Sequence, residues 1–67
     1  MKVEVELSWK NETKVLEGEF KTIKDVLNQL NIFPSEVVII KNGKIVLEEE
    51  KVSDGDKIKL INVISGG

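Results

Sequence analysis

The sequence predicts an α+β fold of order β-β-α-β-β-β: one mixed sheet packed on one main helix, with an extended C-terminal tail. Three features carry this. Residues 2–8 alternate apolar and polar side chains, the two-residue period of a strand with one buried face. Ile23, Val26, Leu27 and Leu30 fall at i, i+3, i+4 and i+7, which puts all four on one stripe of a helix. Asn42-Gly43 lies between two β-branched runs and is the strongest two-residue hairpin signal.

Taken in order, Val3, Val5 and Leu7 form the buried side of the first strand, and Glu4, Glu6 and Ser8 the wet side. Lys10-Asn11-Glu12 suits a turn, and residues 13–20, with Val15, Leu16 and Phe20, are expected to return as a second strand. The helix is expected over residues 22–30. Thr22 can cap it, Asp25 three residues on completes a capping box, and that carboxylate meets the positive end of the helix dipole. Asn31 tolerates the left-handed conformation that closes a helix, Ile32 can pack back, and Pro34 prevents continuation. Residues 37–40 and 45–47 make the second hairpin, residues 48–51 a charged connector, and Asp54-Gly55-Asp56 a tight turn into a last strand over residues 58–64. Val3, Val5, Leu7, Ile23, Val26, Leu27, Leu30, Ile58 and Leu60 are the expected core.

A helix with one apolar stripe, set between two hairpins, covers one face of the sheet, and a β-grasp fold results. With 67 residues there is room for one core. Residues 1–64 are expected to form the domain, and residues 65–67 a flexible Ser65-Gly66-Gly67 tail.

Composition narrows the chemistry. Cysteine and histidine are both absent, which removes disulfides, thiolate nucleophiles, the usual metal ligands and the usual general base. The chain is therefore expected not to be an enzyme. No apolar run resembles a signal peptide or a membrane span, and a secreted domain of this size would ordinarily need staples, so a cytoplasmic location is expected. Net charge is −2, and the 10 basic residues, all lysine, are spread along the chain, which gives no footprint for nucleic acid.

Most of the remaining motifs have structural readings. Glu48-Glu49-Glu50 lacks the spacing of a calcium loop and reads as a solvated connector. Trp9 reads as a cap on the edge of the core. Ser65 has no histidine to activate it and reads as a tail spacer. In residues 37–40 and 60–64 both alternation phases are apolar, while one helix covers only one face. Two readings stand: twist and loops bury the second phase, or it is an exposed patch for a partner protein. Gly66-Gly67 has no such structural role. Following directly on a strand, glycines without a Cβ form an arm that can enter a channel too narrow for side chains, and the reactive group would be the terminal carboxylate.

At these residues the chain resembles the ThiS and MoaD family of sulfur carriers, relatives of ubiquitin. The resemblance rests on Asn42-Gly43 between short strands, Asp54-Gly55-Asp56 leading into Lys57-Ile58-Lys59-Leu60, and Val63-Ile64-Ser65-Gly66-Gly67. It implies that Gly67 is adenylated by an ATP-using partner of the ubiquitin-activating type and converted to a thiocarboxylate. Gly66 and Ser65 would then form the approach into the partner's site. It further implies that the sulfur goes to thiamin thiazole or molybdopterin synthesis, with thiazole synthase or the large subunit of molybdopterin synthase as acceptor, and that the chain binds no cofactor of its own. Two alternatives stand beside it: a ubiquitin-like modifier joined to target lysines through Gly67, and an interaction module that docks through its sheet and never uses its tail.

Overall fold

In the computed structural model, which describes residues 1–63, β1 (Lys2–Leu7) buries Val3, Val5 and Leu7 and exposes the residues between them. A turn with Asn11 at φ 52° leads into β2 (Glu12–Glu17), paired antiparallel with β1. β2 stops three residues short of the expected Phe20. Gly18 is the last paired position: its N–H donates to the Met1 carbonyl, and its carbonyl accepts from the N-terminal ammonium, both at 3.0 Å. β2 is an edge strand, so the chain must leave its line to bring the helix over the sheet, and Phe20 turns into the core, 5% exposed.

The helix α1 spans Ile23–Leu30, with Thr22 as its extended N-cap. The backbone N–H groups of Lys21 and Thr22 donate to one Asp25 carboxylate oxygen at 2.8 and 3.2 Å. Those two bonds hold the Asp25 carboxyl below the usual carboxylate range. At the other end Asn31 is left-handed (φ 58°, ψ 41°), and the Ile32 N–H reaches back to the Leu27 carbonyl at 3.0 Å. The Asp25 half of the capping box and the Asn31 end thus form as their residues predict, while Thr22 holds the N-cap position without a side-chain cap hydrogen bond. The connector's part was not legible: the N–H groups of Ile23 and Lys24, which no helical carbonyl can satisfy, donate to the carbonyls of Glu50 and Glu48 at 2.9 and 3.0 Å.

A single 3-10 turn at Pro34–Glu36 precedes β3 (Val37–Lys41). Asn42 (φ 49°) and Gly43 (φ 87°) both take the left-handed angles of a tight hairpin turn into β4 (Lys44–Val46). The last strand, β5, spans Lys57–Asn62. Strand order is β2-β1-β5-β3-β4, with β1 and β5 parallel and the other neighbours antiparallel, which is the mixed sheet of a β-grasp.

All the expected core residues are buried except Leu30, which is half-buried and borders a surface crevice with Trp9 and Ile32. Phe20, Val37, Ile39 and Val52 complete the core. Val52 follows the charged connector and is pinned by its own N–H donating to Lys21 O at 3.1 Å, so the connector lies against the start of the helix rather than hanging in solvent. Among the described residues no helix is long and apolar enough to cross a membrane.

Candidate functional site

The residues assigned to covalent chemistry and its approach, Gly67, Gly66 and Ser65, lie outside the described residues, as does Ile64. What the structure describes is how the fold delivers the chain to them. β5 runs through the middle of the sheet, paired on one side with β1 and on the other with β3. Two backbone bonds continue its pairing to the end: Ser8 N–H to Leu60 O at 3.1 Å, and Val63 N–H to Glu36 O at 2.8 Å. Val63 is therefore tied to the 3-10 turn that starts β3, at a strand whose Ile58 and Leu60 are buried in the core. The four residues beyond it can carry Gly67 at most about 14 Å from Val63, by the reach of an extended chain.

The start of β5 is held as firmly. The Asn42 side chain accepts from Lys57 N–H at 3.0 Å and donates to an Asp56 carboxylate oxygen at 3.1 Å, while Asn42 N–H donates to Lys57 O at 2.8 Å. The other Asp56 oxygen accepts from Ser53 N–H at 2.8 Å, and Lys41 Nζ stands 4.0 Å from it. That ammonium also donates to Glu50 and to the Lys51 carbonyl, both at 2.9 Å. Burial pushes the Asp56 carboxyl up, but the Ser53 N–H, the Asn42 amide and the Lys41 charge outweigh it and leave the group below the usual range. Asn42-Gly43 and Asp54-Gly55-Asp56 are thus two halves of one clamp between the β3–β4 turn and β5. Sequence shows them only as separate turns, since nothing local links positions 14 apart.

The open question about the sheet's second apolar phase is answered by the register. Val37, Ile39, Ile58 and Leu60 face the helix. Val38 pairs with Ile61 and Ile40 with Ile45, so these four share the outer face. Val38 and Ile40 are half-buried by their neighbours, Ile61 is 37% exposed and Ile45 76%. Among the described residues no loop covers the second phase, and it is not wholly bare. It forms an apolar strip beside the β5 exit, bordered by charges such as the Glu6 and Lys59 pair at 3.9 Å. Among the described residues no group of three or more acidic side chains converges as metal ligands, and Glu48, Glu49 and Glu50 belong to the connector.

Comparison with known proteins fits this picture. In fold the chain is similar to SAMP1 from Haloferax volcanii (TM-score 0.77, 18% identity, covering 100% of both chains). It is also similar to the thiamine biosynthesis protein ThiS from Geobacter metallireducens (0.69, 19%, 100% of both chains). A ubiquitin-like protein from the hyperthermophilic archaeon Caldiarchaeum subterraneum matches too (0.63, 22%, 98% of this chain and 100% of that one). These identities speak for the fold alone. The sequence pattern of the ThiS family, however, matches residues 4–67, nearly the whole length including the glycine pair, and the chain belongs to the ThiS family.

Proposed function

We propose that this protein is a cytoplasmic sulfur carrier that works through the carboxylate of Gly67. The observation that carries the reading is the family match running through the glycine pair, on a chain whose last strand is locked in the centre of the sheet up to Val63. A free carboxylate is a poor electrophile. In the proposed sequence a Gly67 carboxylate oxygen attacks the α-phosphorus of ATP on a partner enzyme of the ubiquitin-activating type and pyrophosphate leaves. A hydrosulfide equivalent then attacks the acyl carbon, and AMP leaves with the oxygen, giving the thiocarboxylate. Its sulfur is a better nucleophile than the oxygen it replaces and passes to an activated acceptor held by a synthase, with thiazole synthase and molybdopterin synthase as the candidates. ATP is bound by the partner and the chain itself holds no cofactor. Its contribution is a rigid body that presents a slender arm, while Ser65 and Gly66 serve as the approach.

A second reading shares the first step. If the amine of a target lysine attacks the acyl adenylate in place of sulfur, the product is an isopeptide bond and the protein is a modifier, a reading supported by the fold it shares with a ubiquitin-like protein. Incubation with ATP, a sulfur source and the cognate activating enzyme, followed by intact mass and mapping of the terminal peptide, separates these readings. Exchange of one oxygen for sulfur at Gly67 supports the carrier, and a branched peptide at a target lysine supports the modifier. A chain extended by one residue beyond Gly67 should bind its partner yet lose activation. Unimpaired function of that extended chain would instead leave a module that never uses its tail.

A further inference from the structure

Among the described residues the most exposed apolar side chain of the sheet, Ile45, lies on a strand that the chemistry above does not use. β4 ends the strand order among the described residues, so one of its edges is free of a neighbouring strand. The two-residue turn Asn42-Gly43 makes Lys41 and Lys44 the hydrogen-bonded pair that flanks it. Ile40 and Ile45 are then a non-hydrogen-bonded pair, and the N–H and C=O of Ile45 point away from β3 toward that free edge. Ile45 is 76% exposed and Leu47, just past the strand, 74%. Beside them, where β3 runs on past the end of β4, Val38, Leu47 and Pro34 line a shallow groove of about 480 Å³. Among the described residues, Glu48 and Glu49 are the only charged ones that line it, and no lysine does.

A long apolar edge is ordinarily blunted by Lys or Pro, or kept short. β4 is short, at three residues, and Lys44 guards its turn end, but the other end opens into an apolar groove with an acidic border. We propose that the free edge of β4 receives an extended segment of a partner protein as an added strand. That segment is apolar at alternate positions, which seat against Ile45 and in the groove, and it carries Lys or Arg at the end that meets Glu48 and Glu49. Backbone bonds to Ile45 provide attachment, and the groove and the two carboxylates provide selection. Since Val37 pairs with Asn62, the groove and the end of β5 lie at the same end of the sheet. An added strand would run three strand spacings, about 14 Å, from β5, so it would leave Ile61 and the end of β5 uncovered. The inference does not depend on the chemistry at Gly67, and its test does not use the tail.

The test is a titration of the isotope-labelled full chain with a short synthetic peptide that alternates Val and Thr and ends in Lys-Lys, followed by amide chemical shifts and intermolecular contacts in NMR. Shift changes centred on Ile45 and Leu47, a peptide amide in contact with Ile45, and half-saturation below about 1 mM are expected. The same peptide ending in Glu-Glu should bind about tenfold more weakly. Ile45→Pro removes an outward N–H where proline is tolerated, and it should weaken binding by about tenfold while the shifts of Val5, Leu27 and Leu60 persist. Should that variant fail to fold, Glu48→Lys with Glu49→Lys should reverse the preference between the two peptides. No saturation by about 1 mM, equal binding of both peptides, or shifts confined to Ile61 and Val63 would overturn the proposal. So would diffusion that slows with protein concentration alone as the Ile45 shifts move, because a second copy would then be the occupant.

Discussion

Replacing Leu27 by Ala probes the joint between helix and sheet on which the placement of β5 depends. Leu27 is fully buried among Ile23, Val26 and the strand residues. The substitution removes three carbons, worth about 2.4 kcal/mol of transfer free energy at ~0.8 kcal/mol each. It also leaves a cavity that rigid neighbours close only in part, which places the total at about 2.7–5 kcal/mol. A domain of this length is expected to have only about 3–10 kcal/mol of stability in all. The loss should therefore lower the melting temperature by more than about 10 °C, at ~4–8 °C per kcal/mol for small domains. Urea unfolding followed by Trp9 fluorescence, with thermal melting by circular dichroism, measures it. Leu30→Ala is the internal control: Leu30 is only half-buried, so its loss should be clearly smaller. A Leu27→Ala loss below about 0.5 kcal/mol, the level of an ordinary surface change, would place Leu27 outside the core and refute the packing argument.

Three further outcomes follow from the clamp and from the tail. Asp56→Ala leaves the Asn42 amide and the Ser53 N–H without their acceptor and should cost about 1–3 kcal/mol; denaturant midpoints check it. The folded Asp56 carboxyl titrates below its ordinary value, so its stabilisation is fully present above that value and is lost as pH falls through the folded pKa. The wild-type midpoint should fall on acidification through and below the usual carboxylate range, near pH 4, and more steeply than that of Asp56→Asn; equal acid dependence of the two would refute the assignment. Asp25 is shifted in the same direction and contributes in the same window, so the difference between the two proteins isolates Asp56. Gly66→Ala should leave folding untouched, because it lies beyond the last strand, and yet slow adenylation by the cognate enzyme, because a methyl enters the narrow approach. Activation at the wild-type rate would refute the narrow-channel argument.

Elements set by local chemistry were legible from the residues that form them. The alternation in residues 2–8, the helical stripe from Ile23 to Leu30, the Asp25 cap, the left-handed Asn31 and the Asn42-Gly43 turn each depend on a few neighbouring backbone angles and side chains. Side-chain identity constrains those directly. The end of β2 was not legible, because Gly18 is the last paired residue only by reference to Met1, and Phe20 turns inward only because the core lies over β1 and β5. Leu30 shows the same limit: its period matches that of Leu27, but its burial depends on what lies beyond the last turn of the helix. The clamp around Asp56 is not legible in the sequence, because its members are distant along the chain and each also fits a local role, as a turn residue or a surface lysine.

Fold class, the order of elements, most of the core and the lack of thiol and imidazole groups were readable from composition and from periods of two and 3.6 residues. Likewise, the glycine pair that carries the proposed chemistry is a property of sequence, read through the family match. It took the packed molecule to show that β5 lies between β1 and β3, that Val38, Ile40, Ile45 and Ile61 share the outer face, and that the outer edge of β4 adjoins an apolar groove bordered by Glu48 and Glu49. The physical reason is that a strand's side chains alternate whichever strand it pairs with. Its neighbours, and therefore which apolar phase meets the helix and which edge meets solvent, are set by contacts between residues far apart in the chain.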